Sequence, residues 1–224
     1  MKKVMPASFT EGPVQPRDAA TVVVMRDTAQ GIELYLVKRS REVDFMAGAH
    51  VFPGGRLDKA DASLEACAVR ETFEEAGLRL DPAALVPWVR WVTPVISPRR
   101  FDARFYLARL PGGQEPKVDG REAVEGLWIA PGAALERWLR HEIQLPPATA
   151  RSIDALTRYR SVGEALDAAA KRAPPVLMPV VWNSDGRAFI SLPGDPHHPD
   201  PDTLGGTFFR IQLEEGRYRP VPAG

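Results

Sequence analysis

The sequence has little cysteine, no net charge and no long apolar segment. Its one cysteine, Cys67, excludes an intrachain disulfide and favours a reducing compartment. Lysine plus arginine total 29, as do aspartate plus glutamate, so the basic charge typical of nucleic-acid-binding proteins is missing. No apolar run reaches the roughly 18 residues of a membrane span, and no secretion signal follows the N-terminal lysines. We therefore predict a cytoplasmic globular protein that binds neither nucleic acid polymers nor membranes.

The chain divides into a short irregular arm and one large folded region. Residues 1–17 are interrupted by prolines and have no periodicity, which predicts a flexible N-terminal arm. Residues 18–224 are predicted to form one domain that includes a C-terminal extension of helices and strands. Strand-like segments lie on both sides of a central helix, so the predicted fold class is α+β with a mixed sheet.

Local patterns predict the individual elements. Alternating β-branched and apolar residues over 21–25 and 32–36, with turn-forming residues between them, predict a β-hairpin. A helix is expected to begin near Asp61 or Ser63 and to end at Gly77, a residue suited to a left-handed cap. The remaining segments are predicted strands at 88–92, 104–108, 126–130, 176–182, 188–192 and 207–213, and predicted helices at 131–139 and within 148–172.

The central helix carries an unusual concentration of carboxylates. At about 100° per residue, Glu71, Glu74 and Glu75 gather on one side, roughly opposite an apolar stripe. Like charges at this spacing repel one another, and Arg70 can relieve part of the repulsion by reaching Glu74. A divalent cation would remove the rest, and ligation by oxygen alone favours Mg²⁺ or Mn²⁺ over zinc. The members of the predicted apolar stripe are Ala66, Val69, Phe73 and Ala76.

A double glycine precedes this helix and bears on its interpretation. Gly54 and Gly55 allow a close backbone approach, and the Gly55 carbonyl is a candidate oxygen ligand. The alternative is an ordinary solvated face of arginine and glutamate with weak ion pairs. The combination of glycines and carboxylates favours the metal site.

These residues resemble the box of the Nudix (MutT-like) diphosphate hydrolases. That box runs from a glycine through a first glutamate to Arg-Glu, then Glu-Glu, Gly and an apolar residue. Relative to it, the chain has one extra residue between Gly55 and Arg70, and Thr72 stands at an apolar position. The first glutamate would fall on Ala62, and Asp61 is the nearest acid. The matching positions are Gly54/Gly55, Arg70-Glu71, Glu74-Glu75, Gly77 and Leu78.

The resemblance extends beyond the box to the peroxisomal-type coenzyme A diphosphatases and their bacterial relatives. Asp44 departs from a wider coenzyme A signature, which has arginine there. The resemblance implies a Nudix-type mixed sheet between helices, and metal-dependent hydrolysis of a diphosphate in coenzyme A or an acyl-coenzyme A. ADP-ribose, a nucleotide sugar or a dinucleotide is an alternative substrate, and a non-catalytic ligand-sensing module is an alternative function. The similar segments are 39–40, 45–55, 91–94, 97–102 and 192–196.

The same resemblance implies roles for individual residues. Metal binding falls to Glu74, Glu75 and the Gly55 carbonyl, while Glu71 is either another ligand or the base that activates water. Arg70 would orient these carboxylates. A further ligand or base from a later loop is Glu122 or Glu125, with Glu122 favoured. The predicted catalytic residues are Glu71, Glu75 and Arg70, and the predicted metal ligands are Glu71, Glu74, Glu75, Gly55 and Glu122.

Four residues are candidates for binding the small-molecule diphosphate. Arg39, Arg99 and Arg100 are predicted phosphate clamps because a guanidinium matches paired phosphate oxygens, although solvated strand-end arginines are the alternative. His50 is a candidate substrate contact, with a buried structural role as its alternative. The oligomeric state stays open, a homodimer being one possibility.

Two other features are interpreted as structural. Cys67 has no neighbouring catalytic partner in the sequence and is expected to be a small packing residue. Residues 195–202 contain two histidines and three aspartates, but their prolines favour a stiff surface loop over a second metal site.

Overall fold

The computed structural model describes residues 14–42 and 46–222. Most of the predicted arm therefore lies outside the described residues, as do Asp44 and Phe45. Arg17, the last residue of that predicted arm, is the first residue of a strand. Within the two described ranges, no helix combines the length and apolar character that a membrane crossing requires.

The fold contains twelve strands and four α-helices in the described ranges. The first part consists of β1 (Arg17–Thr28), β2 (Gly31–Arg39), β3 (His50–Val51), β4 (Gly54–Arg56), α1 (Leu64–Ala76), β5 (Val86–Val92), β6 (Phe101–Arg109) and β7 (Ala123–Ile129). The second part consists of α2 (Pro131–Leu139), α3 (Pro147–Leu156), α4 (Val162–Ala170), β8 (Val176–Leu177), β9 (Val180–Ser184), β10 (Arg187–Ser191), β11 (Arg210–Glu214) and β12 (Arg217–Val221).

The predicted hairpin is confirmed and organises the main sheet. β1 and β2 pair antiparallel from Thr28 and Gly31 back to Met25 and Leu34. Beyond that point they take different neighbours, because β1 pairs with β4 and β6 while β2 pairs with β3 and β7. The resulting eight-stranded mixed sheet has the order β3-β2-β1-β6-β5-β8, with β4 on β1 and β7 on β2. The glycine segment in β4 thereby lies beside β1.

Each face of this sheet is buried by helices. Helix α1 contacts β1 and β4, and its Cys67 and Ala68 join a core that includes Val22 and Val24. Side chains of the opposite face pack with residues of α2, α3 and α4 in a second, larger core. Burial of apolar area on both faces is the main stabilising contribution to such a layered arrangement. The predicted α+β fold, a mixed sheet between helices, is confirmed.

The C-terminal extension forms its own four-stranded antiparallel sheet, in the order β12-β11-β10-β9. Leu192 and Ile211 join the larger core, and the ring of Phe208 lies 5.6 Å from that of Trp138. The sequence pattern does not predict the last strand, β12. It is an edge strand that contains Pro220, and proline weakens a strand pattern although an edge tolerates it.

Helix α1 has the predicted ends but a different rotation. The Ser63 side chain accepts a hydrogen bond from the Ala66 N–H, and the N–H of left-handed Gly77 donates to the Phe73 carbonyl. The predicted apolar stripe is wrong at Phe73, which is 42% exposed, whereas Ala76 is buried and Val69 packs against the core. Thr72 is buried instead, and its hydroxyl donates to the Ala68 carbonyl at 2.8 Å, which satisfies it within the helix. This rotation turns a carboxylate of the helix toward the glycine segment.

Candidate active site

Glu75 is the carboxylate that α1 buries. It is 4% exposed, its Oε2 accepts a hydrogen bond from the Gly54 N–H at 3.0 Å, and its Oε1 lies 3.6 Å from Nη1 of Arg39. Burial raises the pKa of Glu75, the Gly54 hydrogen bond and the Arg39 charge lower it, and the charges of Glu71 and Glu122 raise it; together these effects give a pKa of about 7. The site therefore contains a buried carboxylate whose negative charge is not fully compensated by the neighbouring positive charges.

Glu71 lies directly against the second glycine of the pair. A Cβ atom on Gly55 would be 2.4 Å from the Glu71 carboxyl carbon, so this approach requires glycine. Burial raises the pKa of Glu71, Arg70 lowers it, and the charges of Glu74 and Glu122 raise it. The Gly55 carbonyl oxygen is 3.8 Å from the Cys67 sulfur. A role for the Gly55 carbonyl as a metal ligand stays a prediction.

Arg70 connects the acidic residues around the helix. Its Nη1 donates to Glu71 Oε1 and to Glu74 Oε2, each at 2.9 Å. Its Nε and Nη2 donate to the two carboxylate oxygens of Asp61 at 2.9 and 2.8 Å. The Arg70 hydrogen bonds lower the pKa of Asp61 to about 2. Asp61 therefore pairs with the box arginine although the first glutamate of the box is missing.

Glu122 and Glu125 have different charged neighbours. Glu125 Oε2 is 3.1 Å from Nζ of Lys38, and that charge pair lowers the pKa of Glu125. A register shift between β2 and β7 places Ala123 opposite Arg39. The negative charge of Glu122 contributes to the raised pKa values of Glu71 and Glu75, which favours Glu122 over Glu125 as the additional acid. A role for Glu122 as a metal ligand stays a prediction.

The predicted arginine clamps occupy different environments. Arg39 faces Glu75, as described above, and Arg99 is exposed in the loop before β6. Arg100 is 8% exposed, and its guanidinium donates to the carbonyls of Thr93 and Val14 at 3.0 and 2.8 Å. Burial and these hydrogen bonds give Arg100 a structural role in the fold. Its contact with a substrate phosphate stays a prediction.

His50 is buried in β3. Its backbone N–H donates to the Gln144 carbonyl at 2.8 Å, and its ring Nδ1 has no hydrogen-bond partner among the described residues. Burial lowers the pKa of His50 from 6.5 to about 4, so the ring is neutral at pH 7. These features favour the structural alternative, and contact with substrate stays a prediction.

The lowered pKa of His50 predicts a loss of stability in acid. As pH falls from about 6.5 to 4, the unfolded chain binds this proton before the folded one does. The contribution of His50 to the free energy of unfolding is therefore fully present above pH 6.5. As pH falls toward 4, the free energy of unfolding decreases by up to about 3 kcal/mol. We expect His50→Gln to flatten this part of the pH dependence in urea unfolding. His141→Asn, at an exposed position with φ 60°, is the control and should leave the slope unchanged.

The candidate metal ligands in residues 195–202 form hydrogen bonds within the protein. Both Asp195 oxygens accept hydrogen bonds from Arg210 at 2.8 and 3.0 Å, and Asp202 accepts one from Arg151 at 2.8 Å. His198 Nε2 is 3.1 Å from the Met178 carbonyl. Because Asp195 and His198 are buried, the prediction of a surface loop at 195–202 is wrong for these two residues.

Cys67 has the environment of a packing residue. It is fully buried in the core beside α1. Burial raises the pKa of its thiol to about 12, and the charges of Asp61 and Glu71 act in the same direction. The thiol is therefore protonated at neutral pH and unsuited to nucleophilic attack.

The donor set around α1 fits a hard divalent cation. In residues 14–42 and 46–222, no three acidic, histidine or cysteine side chains already converge closely enough to surround a metal ion. The carboxylates instead contact Arg70 and Arg39, which supply positive charge. The available donors are oxygens, Glu75 is short of counter-charge, and Gly55 leaves the Glu71 carboxylate uncovered by a side chain. Oxygen donors of this kind suit Mg²⁺ or Mn²⁺.

The chain combines a mixed sheet between helices with an acidic helix that packs against a double glycine. This combination is characteristic of Nudix-type folds. The NUDIX domain family model matches residues 15–151, and the chain belongs to this family. The human protein named "Acyl-coenzyme A diphosphatase NUDT19" is 26% identical over 85% of this chain and 82% of its own length.

Two further comparisons agree with the family. The Saccharomyces cerevisiae protein named "Peroxisomal coenzyme A diphosphatase 1, peroxisomal" is 34% identical over 34% of this chain and 24% of its own length. The crystal structure of a NUDIX hydrolase from Alicyclobacillus acidocaldarius is 26% identical and has a TM-score of 0.62, covering 68% of this chain and 96% of that chain. The resemblance seen in the sequence is confirmed.

Proposed function

We propose that this protein is a divalent-metal-dependent hydrolase of a diphosphate linkage in a nucleoside-diphosphate derivative, with coenzyme A or an acyl-coenzyme A as leading substrate. The observation that carries the proposal is the buried Glu75, which sits with Glu71 against the two glycines of a Nudix box. The substrate is supported by relatives named acyl-coenzyme A diphosphatase, which match this chain over most of their length.

The residues of the acidic cluster would have different roles in such a reaction. Glu71, Glu74, Glu75 and the Gly55 carbonyl would hold Mg²⁺ or Mn²⁺, with Glu122 as a further ligand or base. When bound, the cation offsets charge on the diphosphate and lowers the pKa of a bound water. Glu71 is either a ligand or the group that takes a proton from the attacking water.

Neighbouring arginine side chains support this arrangement. Arg70 fixes Glu71 and Glu74 through its hydrogen bonds, and Asp61 fixes Arg70 in turn. Arg39 lies at the buried end of the cluster and Arg99 in an exposed loop, and both are retained as candidate phosphate contacts. Fixed partners keep the carboxylates oriented before a substrate arrives, which lowers the cost of reorganisation during the reaction.

The test is product analysis over a substrate panel. Coenzyme A, an acyl-coenzyme A, ADP-ribose, a dinucleotide and a nucleotide sugar are each incubated with Mg²⁺, with Mn²⁺ and with a chelator. We expect coenzyme A to give 3′,5′-ADP and 4′-phosphopantetheine, and the chelator to abolish the reaction. Preferred cleavage of ADP-ribose would move the substrate to the alternative class. Tight binding of a panel member without cleavage of any would favour a sensing module.

The two box glycines should respond differently to alanine. The Cβ of Gly55→Ala would meet the mobile end of Glu71, so we expect a stability change below about 1 kcal/mol and about a hundredfold slower hydrolysis. The Cβ of Gly54→Ala would lie 2.4 Å from the backbone oxygen of Ala20, so its main effect should be destabilisation by about 1–3 kcal/mol. Urea unfolding and steady-state kinetics measure both. Equal effects of the two changes on stability would contradict this assignment.

We also propose a cytoplasmic location, and the buried protonated thiol of Cys67 is compatible with a reducing compartment. Fractionation of the cells that express the protein tests this proposal. A homodimer stays a prediction, which light scattering of the purified protein decides.

A further inference from the structure

Two consecutive cations at the end of β2 pair with different carboxylates. Lys38 contacts Glu125 at 3.1 Å, and the Glu125 side chain is 53% exposed. Arg39 contacts Glu75 at 3.6 Å, and the Glu75 side chain is only 5% exposed. Adjacent residues of a strand point to opposite faces, so the Arg39 guanidinium reaches the acidic cluster while the Lys38 ammonium pairs elsewhere.

The contact between Arg39 and Glu75 is loose for a buried ion pair. Charged hydrogen bonds between guanidinium and carboxylate are usually about 2.7–2.9 Å long, and here the separation is 3.6 Å. The other oxygen of Glu75 is held by the Gly54 N–H at 3.0 Å. Arg70 is engaged with Glu71, Glu74 and Asp61. One oxygen of Glu75 is therefore held by a backbone N–H, and the other faces the Arg39 guanidinium at a distance longer than a charged hydrogen bond.

We propose that Arg39 is a positioning residue that holds Glu75 before the divalent cation binds, then yields Glu75 to the cation and turns to a substrate phosphate. This inference rests on the proposed function. A guanidinium and a divalent cation repel each other, so they compete for the same carboxylate oxygen. The diphosphate adds negative charge beside the cluster, and a guanidinium matches phosphate oxygens.

The inference predicts opposite effects on the two ligands. Removal of Arg39 should strengthen binding of the cation, because the cation no longer displaces a competitor. The same change should weaken binding of the diphosphate, because the released guanidinium is missing. A residue with a merely structural role would weaken both or neither. Couplings between binding events are commonly about 5- to 150-fold, so effects of about tenfold are expected.

The experiment titrates the metal-free full chain with Mn²⁺ in a calorimeter, without substrate. We expect Arg39→Gln to bind Mn²⁺ about tenfold more tightly than the wild type and to have about a tenfold higher KM for the preferred diphosphate. Lys38→Gln is the matched control, because it removes the neighbouring charge of the same strand. It should leave the Mn²⁺ affinity and KM within about twofold.

The outcomes separate the two proposals. Equal Mn²⁺ affinity in wild type and Arg39→Gln would overturn the inference about Arg39 and leave the proposed function standing. A wild-type chain that neither binds Mn²⁺ nor cleaves any substrate would overturn both. If Arg39→Gln does not fold, Arg39→Lys decides, because a lysine keeps the charge but lacks the paired donors. It should raise KM with little change in Mn²⁺ affinity, and an unchanged KM would overturn the inference.

Discussion

Glu75→Gln is expected to lower kcat for diphosphate hydrolysis by about a hundred- to a thousandfold while the protein stays folded. The substitution keeps the size of the side chain, and the amide oxygen can still accept the Gly54 N–H. It removes the negative charge that the proposed site offers to Mg²⁺. Loss of a few kcal/mol of charge stabilisation in the transition state corresponds to this range of rates.

Stability distinguishes this chemical role from a structural one. Above pH 7 the ionised Glu75 is buried against a single loose ion pair, so a neutral amide there should cost little or even stabilise the metal-free protein. The measurement combines steady-state kinetics in saturating Mg²⁺ with urea unfolding. Glu125→Gln serves as the control, since Glu125 pairs with Lys38 and should be dispensable for turnover. Near-normal turnover in Glu75→Gln would refute the assignment of the acidic cluster.

Elements with strong local signals could be predicted from the sequence. The hairpin of β1 and β2 and the ends of α1 follow from turn chemistry and capping, which act within a few residues. The rotation of α1 could not be predicted, because it depends on what the helix packs against. Periodicity favoured burial of Phe73, whereas the close approach of Glu71 and Glu75 to the glycines turns Phe73 outward, where Arg79 covers its ring.

The site shows the same division between local and tertiary information. The spacing of the box identified Glu71 and Glu75 because both lie on one helix. The contact of Arg39 with Glu75 joins residues far apart in sequence, and no local pattern reveals it. Asp61 could be named only as the nearest acid, and the fold shows that it pairs with Arg70. The prediction for Arg100 rests on its residue type, whereas the fold buries this side chain and directs its guanidinium to the carbonyls of Thr93 and Val14.

The least predictable feature is an ionic network that joins α3 to the C-terminal extension. Arg151 is 1% exposed, and its Nη1 donates to Asp154 Oδ2 at 3.1 Å and to the Gly205 carbonyl at 2.7 Å. Its Nη2 donates to Asp202 at 2.8 Å. Asp154 in turn accepts hydrogen bonds from the backbone and hydroxyl of Thr207 at 2.7 and 2.6 Å. Removing one member therefore leaves a buried charge without its partner.

We expect Arg151→Leu and Asp154→Leu each to lower the free energy of unfolding by about 3–5 kcal/mol, as measured in urea. The cost comes mainly from the charge left behind, so the combination of Arg151→Leu with Asp154→Leu should cost clearly less than the sum of the two single losses. Arg137→Gln breaks the exposed pair with Glu142 and should cost less than about 1 kcal/mol. Additive losses in the double variant would show that the two residues act independently. Because this network lies outside the acidic cluster, the molecules that remain folded should hydrolyse the diphosphate at the wild-type rate, in contrast to Glu75→Gln.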